Sequence, residues 1–570
     1  MGSSMTTSNI TDTDTTDTDT TDTDTNRTNT TRSATTRTDT TRIDTTRTAA
    51  STPAGTKSTK RATMTHSPLA DPRPHVIVVG TGAAGLMVAD RLADVARVTV
   101  IEAGADAGSP PPRWLLDDLA FGPGVDWGDS DAATGLSLPR GKVTGGSTSI
   151  NAAAALRGQP WCFDEWNLPG WAWEDIAPSF EAIENDAQFG SEPGHGSEGP
   201  IPITRLSFSP IDETFVEWAR ARGHAWVDDQ NAPGALGVGH WPTNMVDNGR
   251  RWGTHAAVLP GLRARATVRT STEVTRLLLI DGECVGVEVN GPNGLEALHA
   301  DHVVLSAGSF NSPAILLRSG IGPANTLAEA NVPMQVEIPG VGRNLQDHPW
   351  AVLSVRATDP KAPGLRPVNG ALLRYEIEQD DHLEVHLYPH QALPYVPGSD
   401  EAEVLVGIGL MRATSRGAVT LSSDGDLEVR MNHLSDEQDK RAWRAVLADA
   451  TQYVDDMVAA GVFEPPVSPW WTSDDLDGAI RDHQDSYGHA VGTCQMGTDD
   501  NPSAVVDPSL AVRGVARLSV IDASVIPISP RANTMLASMA VGWRGGEMLA
   551  TQLTTTENRS TTGRPTHATS

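Results

Sequence analysis

The sequence predicts an α/β protein, and three observations carry that expectation. A short β-branched run, HVIVVG (His75 to Gly80), meets a glycine-rich turn and then a stretch of helical spacing. A second strand-like run, RVTVIEAG (Arg97 to Gly104), follows, so strand, turn, helix and strand fill about thirty residues, the size of a right-handed βαβ unit. Further along, ATVRTSTEVTRLLLIDGECVGVEVNG alternates apolar and polar residues around Asp281–Gly282, which reads as antiparallel strands.

Each element has its own reason. The run from His75 to Gly80 is apolar on both faces, as a buried parallel strand must be. Leu86, Val88, Ala89, Leu92 and Val95 recur on one helical face. Ala300 to Gly308 and the segment ARLSVIDASVIP read as further buried strands, and HLEVHLYPH, VLVGIGLM and RGAVTLSSDG as strands of a second sheet. DEQDKRAWRAVLADATQYVDDMVAAG is a helix by period. Ser312–Pro313 reads as an N-cap and first helical residue, with Gly320 closing that helix.

The ends are different. Residues 1–70 are near-repeats of Thr, Asp and Arg with almost no apolar residues, so they cannot bury enough surface to offset their ordering entropy. Residues 553–570 receive the same expectation of disorder. A formal charge of −29, from 72 acidic against 43 basic residues, repels nucleic acid and anionic membranes alike. Cys162, Cys284 and Cys494 have neither disulfide nor metal-ligand spacing, so no metal is expected. No basic-then-apolar leader and no transmembrane-length apolar run is present, and the cytoplasm is the expected location.

Four motifs carry chemistry. In Gly80-Thr-Gly82-Ala83-Ala-Gly85 the glycines permit a tight turn, backbone approach to a pyrophosphate and close helix–strand packing. Glu102 ends the second strand, where a carboxylate can accept ribose hydroxyls. Together these point to dinucleotide binding without separating a nicotinamide from a flavin. PRGKVTGGSTSINAAAALRG (Pro139 to Gly158) offers small-residue backbone to a ring or phosphate, and on spacing alone it reads equally as a Gly-Ser loop before an Ala-rich helix. GSFNSPAILLRSGIG (Gly308 to Gly322) is by itself a well-punctuated helix. GHAVGTCQMG places His489 in a glycine-rich loop, where a hydrogen-bonded structural histidine is the ordinary reading.

As a set, these segments, with GVGRNLQDH (Gly340 to His348) and VIDASVIP…NTM, resemble the landmarks of the glucose-methanol-choline (GMC) oxidoreductases, in order, from near Pro74 to near Leu549. Within that family the chain is similar to choline-dehydrogenase-like and hydroxymethylfurfural-oxidase-like members, and its central strands resemble those of mycofactocin-linked enzymes. The resemblance implies a Rossmann-like FAD-binding domain, assembled discontinuously from most of 71–345 and a C-terminal return at 499–552, plus a substrate domain with an antiparallel sheet and helices over 346–498. It implies FAD held by Gly80, Gly82, Ala83, Gly85 and Glu102, by Val143 and Asn151, Ala152, Ala153 and Ala154, by Val274, and by Asp522, Ala523 and Thr534. Some members link the flavin through a histidine at the position of Ile150, so non-covalent FAD is expected here. His489 matches the family's catalytic histidine and Asn533 its partner. A neutral imidazole can take the hydroxyl proton while hydride leaves the carbinol carbon for flavin N5, and an amide can hold the alcohol oxygen. The implied function is oxidation of an alcohol to an aldehyde, with O2, a quinone or another carrier taking the electrons. A hydroxynitrile-lyase-like flavoprotein or a flavin photodecarboxylase is the alternative on the same fold. His348 reads as structural or near the cofactor, and Cys494 as a small buried residue. Tyr487 and the tryptophans Trp161, Trp166, Trp171 and Trp173 read as pocket or, for most of them, core.

Overall fold

The computed structural model of the chain describes residues 71–108, 112, 124–246, 249–361, 370–377, 383–391 and 403–562. The disorder expected over 1–70 falls on residues outside that range.

Five strands form a wholly parallel sheet in the order Thr267–Arg269, Arg97–Ile101, His75–Val79, His302–Leu305 and Leu518–Val520. Chain order therefore reverses at His75–Val79. In open parallel sheets the carboxyl ends at such a reversal form the ligand crevice. The first helix, Ala83–Leu92, lies against the last, Thr534–Thr562. Glycines allow their close approach: a Cβ at Gly542 would lie 2.6 Å from Ala84 Cα, and one at Gly546 2.9 Å from Arg91 Cβ. The last helix runs through Thr562, into the tail expected to be disordered. Thr551, Thr554 and Thr555 each donate a hydroxyl to the carbonyl four residues back, which lets a threonine-rich stretch remain helical.

Of the alternating stretch, Thr267–Arg269 joins the parallel sheet instead, while Glu273–Ile280 and Glu283–Gly291 form the expected antiparallel hairpin, to which Gly294–His299 adds a third strand. Asp281 and Gly282 take φ of 50° and 81°, the type I′ turn that Asp-Gly favours. The second large sheet has seven strands in the order Asp485–Ser486, Pro349–Arg356, Glu403–Leu410, Leu383–Gln391, Ala371–Ile377, Gly237–His240 and Trp226–Val227, antiparallel except for the last pair. Strand alternation sorts its faces. Val385, Leu387, Val404, Val406 and Ile408 join a core with Trp443, Leu447 and Tyr453 of the helix Glu437–Ala459. Glu384, His386, Tyr388 and His390 point the other way.

One helix boundary differs from expectation. The segment after His302–Leu305 becomes helical at Gly308, so Ser312 and Pro313 lie inside the helix Gly308–Arg318. Proline has no N–H for the carbonyl four residues back, that of Ser309. Thr493 Oγ1 donates to that carbonyl at 2.7 Å, which is why the helix tolerates the proline. Gly320 follows the helix end with φ of 76°, as a terminating glycine should.

Candidate active site

A cavity of about 770 Å³ opens at the carboxyl ends of the parallel strands and reaches across to the seven-stranded sheet. Gly80, Gly82 and Ala83 line it after the first strand, and Glu102 after the second. Asp522 and Ala523 line it after the last strand, and Asn151, Ala152, Ala154, Val274 and Thr534 complete that half. Gly85, Val143 and Ala153 stand back from it. A Cβ on Gly85 would press into the Gly80 carbonyl, so this glycine serves the packing of helix on strand. Val143 packs with Val125 and Ile150, and Ala153, with φ of 56°, is fully buried in the wall.

The cradle fits a dinucleotide. A Cβ built on Gly82 or Gly308 would meet nothing within 4 Å, so backbone at both places faces open space. Gly82 caps the first helix without a side-chain hydrogen bond, which leaves its first N–H groups for an anion. Glu102 is largely committed already. It accepts from the Thr81 N–H at 3.0 Å, the Thr81 hydroxyl at 2.5 Å and the Gly104 N–H at 2.8 Å, and burial pushes its pKa up. Asp522 likewise accepts from the Gly308 N–H at 2.8 Å and the Ser312 hydroxyl at 2.6 Å, so it fastens the Gly308 helix to the last strand.

The other half of the cavity holds His489 and Asn533. Asn533 Nδ2 donates to His489 Nε2 at 3.1 Å, while Asn533 Oδ1 is buried with no partner among the described residues. On its other side His489 Nδ1 lies 2.9 Å from His348 Nδ1, and His348 Nε2 lies 3.1 Å from the Ser529 hydroxyl. With Nε2 accepting, the His489 proton sits on Nδ1 and points at His348, whose own proton then points at Ser529. This order puts the imidazole lone pair on Nε2, where it accepts from Asn533. Burial drives the His489 pKa well below 6.5, and the neighbouring imidazole of His348 adds to the fall. Burial also takes His348 down to about 4. The loop is held by Asp347, which accepts from the His489 N–H at 2.7 Å and the Ser486 hydroxyl at 2.5 Å. Burial would raise the Asp347 pKa, but His433 beside it and these donors hold it well below the usual carboxylate range.

The floor of this half depends on two glycines that the sequence reading passed over. Gly407 and Gly409 stand on the cavity face of Glu403–Leu410, opposite Tyr388 and His386. A Cβ at Gly407 would lie 2.5 Å from Tyr388 Cζ, and one at Gly409 2.5 Å from Tyr487 Cε2. Their absence lets both rings lie over the sheet, and Tyr487 then stacks on His489. The alternate glycines in VLVGIGLM were the available signal. Tyr487 lines the cavity with Trp127, Trp241 and Trp350. Trp166 and Trp171 are instead buried with Phe163 and Phe180, Trp161 and Trp173 pack against that core, and Cys494 is fully buried.

Away from the cavity, Glu184, Asp186 and His195 have ligand atoms close enough for a metal ion. Their charges are already answered. Arg205 bonds Asp186 at 2.8 Å and Asp229 at 2.5 Å, and Arg157 lies 3.5 Å from Glu184. His195 bridges Glu184 at 2.8 Å and Asp229 at 3.1 Å. The group is a closed ion-pair network.

The chain matches the GMC oxidoreductase family over residues 75–350 and again over 413–542. It is 32% identical to an oxygen-dependent choline dehydrogenase of Brucella ovis, over 83% of this chain and 94% of that one. It is 30% identical to a GMC-type oxidoreductase of Rhodococcus erythropolis, covering 83% of this chain and 97% of the other. The pyridoxine 4-oxidase structure from Mesorbium loti superposes with a TM-score of 0.75 at 28% identity, over 83% of this chain and 98% of that one. No described helix is long and apolar enough to cross a membrane. The cradle, the paired histidine and asparagine and these matches lead to one conclusion: the chain belongs to the GMC oxidoreductases, FAD-dependent enzymes that oxidise alcohols.

Proposed function

We propose that this chain converts a primary alcohol to its aldehyde, with His489 as the base and Asn533 as the residue that holds the alcohol oxygen. The observation that carries this reading is the 3.1 Å contact between Asn533 Nδ2 and His489 Nε2 inside the cavity. A hydroxyl inserted between the two would replace that direct contact, accept from the amide and give its proton to the Nε2 lone pair so freed. Bound FAD would supply the acceptor for the hydride that leaves the carbinol carbon. His348 positions the base by fixing its tautomer. As the base gains its proton, Asp347 on the same loop offers a nearby negative charge.

Residues Gly80 to Ala83, the Gly308 helix start, Asp522 and Ala523 would hold the cofactor. Ile150 lines the cavity with an aliphatic side chain that cannot form a bond to a flavin, which supports non-covalent binding. The free, buried Cys162, Cys284 and Cys494 suit a reducing compartment, in keeping with the cytoplasm.

The test is the visible spectrum of the purified protein followed by anaerobic titration with alcohols. The protein should be yellow and should bleach. His489→Ala should slow bleaching by about 10²–10⁴-fold, the range for loss of a general base. A colourless protein indifferent to added FAD, or a near-wild-type rate in that variant, removes this reading. A flavin that stays oxidised while the alcohol is cleaved would point to lyase chemistry instead.

A further inference from the structure

His390 lines the cavity on the strand Leu383–Gln391 and is 9% exposed. Among the described residues its ring has no hydrogen-bond partner and no charged neighbour, and its one aromatic contact is with Tyr388, ring centroids 6.2 Å apart. Burial takes its pKa down to about 4, so at neutral pH it is uncharged and offers one N–H and one lone pair. Buried polar groups nearly always find partners, because an unmet one forfeits its hydration. An unmet ring facing a cavity is therefore a group that a ligand can satisfy.

Its place along the sheet sets the distance from the chemistry. Gly409, under Tyr487 and so under His489, is paired with His386. His390 is paired with Leu405, four residues farther along both strands. At about 3.3 Å per residue that is about 13 Å of sheet. The surface between is aromatic: Tyr388 lies over Gly407, and Trp241 meets it edge-on at 4.6 Å and 87°. A flat apolar body fits that surface, and neither Leu405 nor Tyr388 carries charge.

We infer that His390 is a specificity-determining residue, which hydrogen-bonds an uncharged polar group at the far end of an elongated aromatic alcohol. The inference rests on the reading of His489 as the point where the carbinol is held. Biphenyl-4-methanol and its 4′-acetyl derivative test it, because they share the carbinol and differ only in a distal acceptor. Both are titrated into the flavin-loaded enzyme, with binding read from the perturbed flavin spectrum and oxidation from anaerobic bleaching.

The wild type should bind the acetyl compound about five- to tenfold more tightly, the worth of one neutral hydrogen bond. His390→Phe should bring the ratio near one and His390→Gln should keep part of it, both variants remaining yellow. Equal binding of the two alcohols by the wild type, binding of neither, or a ratio that survives in His390→Phe overturns the inference. The two readings fail separately. Selective binding without bleaching removes His489 as the base and leaves His390 in place, whereas bleaching without selectivity removes His390 alone.

Discussion

Tyr487 lies flat on His489, with ring centroids 4.5 Å apart and planes 18° from parallel. The contact covers one face of the imidazole and shares in the burial that keeps it uncharged.

The first prediction concerns pH. Because the His489 pKa is lowered below 6.5, its base form persists as pH falls past neutrality. The rate of flavin reduction should be level across about pH 6–8 and decline only in more acid solution. Burial is the larger cause and His348 the second, so His348→Asn should move the acid limb upward in pH. Stopped-flow reduction across this range decides it, and an acid limb centred at 6.5 in the wild type would refute the proposed environment.

A second prediction follows from the sheet. Gly409→Val should place methyl groups where the Tyr487 ring now lies, and His489 blocks the ring from rising. Flavin reduction should fall by about 10–100-fold through misplacement of the base, while flavin content stays near wild type. An unchanged rate would mean that Tyr487 does not position the imidazole.

The third concerns cations. The carboxylates lining the cavity, Glu102, Glu273 and Asp522, belong to its nucleotide half, whereas the sheet side offers aromatic rings, His390 and the guanidinium of Arg140. Among the described residues choline would find aromatic faces there and no carboxylate. Its kcat/KM should be more than about tenfold below that of benzyl alcohol, since a buried charge is costly without a partner. Comparable values would show that a carboxylate reaches the substrate.

The fourth concerns stability. Burial disfavours the charged form of His195, but bonds to Asp229 and Glu184 outweigh it and raise the pKa to about 9. Its folded value lies above its unfolded one, so the stabilisation is complete below about pH 6.5 and is lost as pH rises through about 9. Thermal midpoints should decline across that window in the wild type and decline less in His195→Gln. Parallel profiles for the two proteins would exclude the network as the cause.

The nucleotide half of the site was legible because its signals are local. Strand, glycine turn, helix and carboxylate fall within Val76 to Glu102, and their spacing alone states their geometry. The Asp281–Gly282 hairpin was legible for the same reason. The other half of the cavity is lined by Tyr388, His390, Tyr487, His489 and Asn533, over Gly409, which only long-range pairing brings together. His489 and Asn533 came from family resemblance, since a histidine between glycine and alanine says nothing of its neighbours. The 2.9 Å contact of His348 with His489 has no local signature either. The start of the Gly308 helix was misplaced because the partner that rescues the Ser309 carbonyl, Thr493, lies far along the chain.

The order of the parallel sheet bears on how the molecule is made. Its last strand, Leu518–Val520, and the helix that covers Ala83–Leu92 come far along the chain from the glycine turn they enclose. The glycine turn is therefore made well before the neighbours that enclose it. A chain released prematurely, before residue 518, would leave apolar strand edges bare and be a target for chaperones and proteases. A stop codon that removes the last helix should then yield apoprotein prone to aggregation rather than a slower enzyme.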